Sequence, residues 1–542
     1  MARNGPEGML TGRGGSIARL ERTLMVRMPG RWVLAVVVGG TLLRLALAEA
    51  IGPGNDEAYY SLYLDHPDWS YFDHPPLLAL VAAAGRWLAG GDRSIAWLRL
   101  GFVLLFAGST LLAARLSRRA YGDRAAAPAA LALNASWYFG AAVGTFVLPD
   151  GPLLFFWLLT IDRLMSALGD DAPDRPAGLG CWSSVGLSWG LAMLSKYHAV
   201  FLPAGLLAFA AVDPRARQAL RTPGPYLAGA IGLLLFAPVI FWNARHGWVS
   251  FAFQGGRASE GLGLHPERML GALAGQAFYL LPWMAAALAL AAVRIARRPD
   301  PDPGRARWDR LFLATAAVPF GFFAAVSLVA PVLPHWGLIG AASLTPPLGA
   351  RWADRLAERP REMRRRLAIV AAAPAILTAL AALHAHTGLL QRGGSGSIPL
   401  IPGSSDPTRD LVGWDQIADE LRRRGLLERP GTFVFSGHWH VSGQLSAAIG
   451  PGVPVLCYRE GDARGFSLWS APDDWVGWDG VLVAVDDRST EPGCFDRWFE
   501  RIEPIARLEL VRGGVPIRPV RLFLCRRQTR PFPFDARPGG SR

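Results

Sequence analysis

Long apolar runs, most of them closed by arginines, constrain this chain more than any other feature. Trp32–Ile51, Ile95–Leu116 and Leu367–His386 each come close to the roughly 20 residues that cross a bilayer. A soluble core has no use for so many such runs. The expected fold is therefore an α-helical polytopic membrane protein with about eleven transmembrane helices. It carries interfacial helices in the first outer loop and a C-terminal soluble α/β domain. The net charge of +13 would suit a nucleic-acid surface. Most of the excess lies in short loops between apolar runs, so it reads as an orientation signal, and no nucleic-acid partner is expected.

Arg22, Arg27 and Arg31 precede the first run and place the N-terminus inside the cell. Alternating inner loops hold most of the arginine, whereas the outer loops hold Asp56, Glu57, Asp73, Asp150 and Lys196. Only the loop through Asp170 and Arg175 departs from the charge rule. The expected units are a disordered cytoplasmic segment over 1–31, a transmembrane body over 32–387, a Gly/Ser/Pro-rich linker over 388–405 and an extracytoplasmic α/β domain over 406–542. In the last of these, an amphipathic helix near Leu411–Leu427 precedes strand candidates at Thr432–Phe435, Val453–Tyr458, Val481–Val485 and Leu522–Cys525. The His438/His440 pair reads as loop histidines. Cysteines at 181, 457, 494 and 525 have neither metal-type spacing nor disulfide-rich density.

Between the first two runs lies Asn55–Pro76, NDEAYYSLYLDHPDWSYFDHPP, with four Asp and one Glu among many aromatic residues. If Asp56–Leu64 is helical, Asp56, Tyr60 and Tyr63 share a face and Glu57 is turned away by about 100°. The rings suit a helix lying in the membrane interface. Asp73 and His74 either cap the helix after Pro75-Pro76 or bind a ligand. The chain has 55 arginines against a single lysine, Lys196, which marks a place for a compact ammonium rather than a planar guanidinium. His246 reads as structural, and Arg44, inside the first run, as a snorkelling cation.

DEAYY and FDHPP in the first outer loop, PDGPLLFFW at Asp150, SKYHAVFLP at Lys196 and WNARHGWVSF around Asn243 carry a likeness. Together, over about residues 30–350, they resemble the GT-C glycosyltransferases. More narrowly, they are similar to bacterial relatives of the dolichyl-phosphate-mannose protein mannosyltransferases and the lipid A aminoarabinose transferases. The resemblance implies a GT-C-like catalytic body in a bacterial cytoplasmic (inner) membrane. It would move a sugar from a polyprenyl-phosphate donor to a lipid, glycan or protein acceptor at the outer face, among membrane lipids. It implies Asp56 as the essential loop acid, Asp150 as the second acid and Lys196 as a donor-phosphate contact. Glu57, Tyr60, Asp73, His74, Tyr197 and Arg257 complete the expected substrate surroundings. The aminoarabinose transferases carry acid-Lys-Pro-Pro where this chain has Asp73-His74-Pro75-Pro76, so a cationic contact is missing there.

The expected chemistry is inverting displacement at the anomeric carbon, with Asp56 taking the acceptor proton and Lys196, aided by Arg257, stabilising the departing phosphate. A divalent metal is a candidate cofactor, with Asp56, Asp73 and His246 as candidate ligands, although no ligand spacing marks a site. The alternative class is a transporter or flippase of lipid-linked sugars. That reading places charges near the bilayer midplane, whereas these acids gather at one face.

Overall fold

The computed structural model describes residues 29–169, 178–256, 263–391, 401, 405–485 and 491–534. The N-terminal segment, the loop through Asp170 and Arg175, most of the linker, and Arg257 lie outside the described residues. The transmembrane body is built from α1 (Pro29–Ala50), α2 (Asn55–Ser61), α3 (Leu77–Leu88), α4 (Ile95–Tyr121), α5 (Ala126–Asn134), α6 (Asp150–Ala167), α7 (Leu179–Ser195), α8 (Phe201–Val212), α9 (Pro223–Arg245), α10 (Pro266–Leu280), α11 (Pro282–Arg297), α12 (Pro303–Ser327), α13 (Thr345–Glu358) and α14 (Pro360–Thr387). One apolar cluster, with Trp157, Ile161, Phe209 and Phe312 at its centre, joins the helices from α4 to α14.

Helices occupy the place of every expected span, but not all are full-length crossings. Among the described residues five helices are long and apolar enough to cross a membrane, or six if one bent pair counts as a single span. The breaks have local causes. α5 stops at Asn134, whose side chain holds Arg44 and Thr110, and a π-turn over Tyr138–Val143 follows. Leu281 takes a positive φ of 70° before Pro282, and α10 and α11 bend by 108° there. α8 is only 12 residues long. The snorkelling account of Arg44 is corrected too. Its guanidinium turns inward, donates to Asn134 at 2.7 Å and lies 4.1 Å from the Phe106 ring centroid.

The C-terminal domain is a five-stranded sheet in the order β2-β1-β3-β5-β4. The strands are β1 (Thr432–Ser436), β2 (Val455–Cys457), β3 (Asp479–Val485), β4 (Phe499–Arg512) and β5 (Val515–Gln528). β1 runs parallel to β2 and β3, and β5 is antiparallel to β3 and to β4. Side-chain alternation gives each face its own core. Val434, Val481 and Val483 pack under α15 (Trp414–Arg423) and α16 (Trp439–Ile449), while Phe433, Phe435 and Tyr458 form an aromatic layer on the other side. The sequence pattern anticipated every strand except β4. That strand alternates arginine and glutamate with modest apolar residues, so it lacks an apolar run. All four cysteines are free thiols.

The domain rests on the loop between α1 and α4. Gly443 on α16 lies so close to Tyr59 that an added Cβ would stand 3.0 Å from its backbone nitrogen. Gln444 donates to the Pro53 carbonyl at 2.9 Å and to the Asn55 side chain at 3.1 Å. His384, near the end of α14, hydrogen-bonds Asp406 at 2.9 Å, and Arg512 of β4 pairs with the same carboxylate. These contacts fix the domain over one end of the helical bundle.

Candidate active site

The loop between α1 and α4 folds around two carboxylates with opposite surroundings. Glu57 is buried and ion-paired with the wholly buried Arg99, with Nε to Oε1 at 2.8 Å and Nη2 to Oε2 at 2.6 Å. Its oxygens also accept the backbone N–H groups of Gly54 and Val147. Arg99 in turn donates to the carbonyls of Ala48, Ile51 and Gly52, which closes the C-terminal end of α1. Glu57 therefore anchors the loop to two helices, and it also lines the cavity described below. Asp56, one residue earlier on α2, is exposed and lines a cavity.

The expectation that the rings of this loop face the lipid interface is also corrected. α2 ends at Ser61 and a 3-10 turn over Leu62–Leu64 follows. Tyr59, Tyr60, Tyr63, Tyr71 and Phe72 are buried, and of this group only Trp69 stays exposed. Tyr63 and Tyr71 stack at 3.8 Å, and Tyr59 packs against Trp439 and Phe466 of the C-terminal domain. Asp73 is the hub of this cluster. It accepts from Tyr59 at 2.9 Å and Tyr63 at 3.2 Å, and pairs with Arg464 of the C-terminal domain at 2.8 Å. Burial alone would lower the Arg464 pKa, but Asp73, Tyr59, Asp462 and Tyr60 together outweigh it and hold the guanidinium above its ordinary value. Burial raises the Tyr59 and Tyr63 hydroxyls well above their ordinary range, and the Asp73 charge adds to it. Asp73 thus neither caps α3 nor stands open to a ligand.

His74 shares a 2.9 Å hydrogen bond with the Tyr60 hydroxyl, and its Nδ1 makes none among the described residues. Burial pushes its pKa down to about 4. It is therefore neutral at pH 7 and no substitute for the missing lysine. Beyond it, Lys196 and Asp150 form a two-point pair at 2.9 and 2.8 Å, with side-chain exposures of 6% and 13%. The lone lysine thus has a carboxylate partner here, where an anionic ligand contact was expected. Tyr197 packs edge-on against Phe236 and Phe251. His246 stacks on Trp242 at 4.0 Å and bonds its carbonyl. Among the described residues no group of three His, Cys, Asp or Glu side chains gathers to hold a metal.

The cavity measures about 880 Å3. Asn55 and Asp56, the segment from Trp137 to Leu148, the end of α10 and one side of α14 enclose it, and Asp410, Trp439 and His440 of the C-terminal domain complete the wall. Asp150 and Lys196 do not line it, yet their fields reach it. Tyr138, a lining residue, feels the Asp150 charge, and His74 feels both members of the pair. Asp56 in turn acts on Tyr60, the partner of His74. Three separated stretches thus converge on one neighbourhood. Sequence reasoning missed the contributions of Arg99, Arg464 and the C-terminal domain, because nothing local to those residues reveals their partners.

Residues 73–242 match the family described as dolichyl-phosphate-mannose-protein mannosyltransferase. The chain is 30% identical over 226 residues to the lipid A galacturonosyltransferase RgtD of Rhizobium johnstonii, covering 40% of this chain and 45% of that protein. It therefore spans less than half the length of that curated relative. The crystal structure of apo ArnT from Cupriavidus metallidurans superposes with a TM-score of 0.56 at 16% identity, covering 91% of this chain and 97% of that one. The chain has a GT-C fold of the ArnT type. The protein is accordingly a multi-pass membrane protein with a C-terminal sheet domain, and the fold extends well beyond the stretch that the family match covers. Within this GT-C fold, residues 73–242 include Asp73, Asp150 and Lys196, whereas Asp56 and the cavity wall from the C-terminal domain lie outside it.

Proposed function

We propose that this protein is a glycosyltransferase that moves a sugar from a polyprenyl-phosphate donor to a lipid, glycan or protein acceptor. The reaction takes place at the outer face of a bacterial cytoplasmic membrane, with the N-terminus inside and the C-terminal domain outside. The observation that carries this reading is the position of Asp56. Its carboxylate stands on the wall of a cavity at the domain-bearing end of the bundle, beside a buried array of Tyr60, His74, Asp150 and Lys196. Apolar residues such as Ile51, Phe146, Leu148 and Phe278 line much of the same cavity, which suits a ligand with a lipid tail.

The reaction is an inverting displacement. The acceptor oxygen attacks the anomeric carbon, the bond from that carbon to the phosphate oxygen breaks, and the acceptor proton passes to Asp56. Glu57 and Arg99 fix the backbone that aims Asp56. Lys196 stabilises the negative charge that grows on the departing phosphate, with Asp150 holding its ammonium in place. His74, neutral, supplies a hydrogen bond where the aminoarabinose transferases supply a cation.

The test is purified Asp56→Asn, assayed with polyprenyl-phosphate sugars in detergent or nanodiscs. Loss of a general base lowers turnover by about 10²–10⁴-fold, while the melting temperature stays that of the parent protein. Near-normal turnover in that variant would overturn the role of Asp56.

A further inference from the structure

Away from the cavity, three arginines share one carboxylate. Asp162, on α6, is wholly buried. Its Oδ1 accepts from Arg115 Nε at 2.8 Å and from Arg119 Nη1 at 2.6 Å, both on α4, and Arg163 pairs with Oδ2. Arg119 is mostly buried and also reaches the Asp162 carbonyl at 2.8 Å and the Ser166 hydroxyl at 3.0 Å. Arg115 and Arg163 stay at the surface, with side-chain exposures of 45% and 33%. Among the described residues neither of them has a second carboxylate. The Nε of Arg163 is buried and makes no hydrogen bond among the described residues. A buried donor without an acceptor is costly and rare. The cluster thus holds more cation than Asp162 alone balances.

Its place decides what such a cluster can meet. α4 starts at the loop beneath the C-terminal domain, where Arg99 holds Glu57. From Arg99 to Arg115 the helix rises about 24 Å, at about 1.5 Å per residue. That is most of a hydrocarbon core about 30 Å thick, so the arginines stand near the headgroup level of the leaflet away from that domain. Two apolar stripes lead to them. Leu104, Leu111 and Arg115 share one face of α4, and Phe155, Leu159 and Arg163 share one face of α6. Leu104 and Leu111 are exposed, and Phe155 and Leu159 are half-buried. The helices touch midway, where Gly108 leaves room for the Phe155 ring; a Cβ there would lie 2.6 Å from it. The stripes therefore run side by side and end at the guanidiniums. A soluble anion would use the arginines alone. A phospholipid would use the arginines for its phosphate and the stripes for its acyl chains.

We propose that Arg115 and Arg163 bind the phosphate of an anionic phospholipid in that leaflet. Guanidinium forks match phosphate oxygens, and the excess positive charge favours a headgroup with no ammonium of its own. A bound lipid would bridge the far ends of α4 and α6, the helices that carry Arg99 and Asp150 at their other ends. This site is separate from the transfer reaction and does not depend on it.

The experiment uses the full-length protein in detergent. Native mass spectrometry with equimolar phosphatidylglycerol and phosphatidylcholine reads which lipid is retained. Thermal melting reads the stabilisation by each lipid and by inorganic phosphate. The parent is expected to retain phosphatidylglycerol over phosphatidylcholine by about tenfold. It should also melt several degrees higher with the anionic lipid, and inorganic phosphate should give no such shift. An Arg115→Gln/Arg163→Gln variant should lose the preference. An Arg361→Gln/Arg365→Gln variant, in the exposed basic turn that opens α14, should keep it.

Equal retention of the two lipids by the parent would overturn the proposal, whether or not any variant folds. So would a preference unchanged in the folded Arg115/Arg163 variant. Equal loss in both double variants would replace the site with a diffuse basic surface. A shift with inorganic phosphate as large as that with phosphatidylglycerol would overturn the lipid and leave an anion site.

Discussion

Two buried ion pairs sit near the same cavity, and they are built differently. Arg99 and Glu57 are saturated. The guanidinium serves a carboxylate and three carbonyls, and the carboxylate also takes two backbone N–H groups. Lys196 and Asp150 hold each other at two points, amid the imidazoles of His74, His198 and His335, whose fields reach the pair. A pair saturated by backbone is scaffold, since any ligand would have to break it. A pair with hydrogen-bonding capacity beside it, such as the unbonded Nδ1 of His74, has room to respond to a ligand. The guanidinium fork suits the first task and the compact ammonium the second.

The strongest way to break this comparison is Arg99→Met. It leaves Glu57 charged and buried without its partner, and such losses cost about 3–5 kcal/mol. The melting temperature of the purified protein is expected to fall sharply, and an unchanged one would remove the scaffold role. Arg99→Lys sharpens the contrast. It keeps the charge but loses the fork that reaches three carbonyls, and hydrogen bonds to charged groups are worth about 1.5–3 kcal/mol each. Lys196→Arg is the mirror experiment. It should leave the melting temperature within a few degrees yet reduce transfer about tenfold or more, because the proposed phosphate contact uses a point charge. Equal losses of stability in the two Lys/Arg exchanges would erase the distinction.

The tie between loop and domain comes next in size. Arg464→Ala leaves Asp73 with its two tyrosine donors, so the expected cost is about 1–3 kcal/mol. Protease accessibility of the C-terminal domain should rise, and an unchanged digestion pattern would argue against the tie.

The pH dependence is the smallest and most gradual effect. His74 and His440 have folded pKa values of about 4, below the ordinary value of 6.5. The unfolded chain therefore binds protons that the folded protein refuses between pH 6.5 and 4. Their contribution to stability is complete above pH 6.5 and falls as the pH drops toward 4. A melting temperature that rises on acidification through that window would contradict the buried neutral state. A His440→Gln variant should flatten part of the slope.

The residues proposed for the site were legible in the sequence, and little of their contacts was. Asp56, Asp150 and Lys196 stood out because charge beside apolar runs is costly unless it has a purpose. The two-acid geometry was also legible, since helical spacing turns Glu57 away from Asp56. The identity of each partner was not. Asp73 read as a cap because Pro75-Pro76 follows it, but Arg464, 391 positions away in sequence, makes it a bridge. The aromatic residues of the loop read as an interface belt because sequence cannot tell lipid from a protein surface as apolar as lipid.

The sequence by itself determined that this chain lies in a membrane and that a sheet domain follows its apolar runs. Those properties depend on the period and length of apolar runs, which are local. Only the tertiary structure decided which cation each acid holds, and that residues of the C-terminal domain complete the cavity wall. Ion pairs and cavity walls depend on distances between segments far apart in the chain, and such distances exist only once the apolar surfaces have packed.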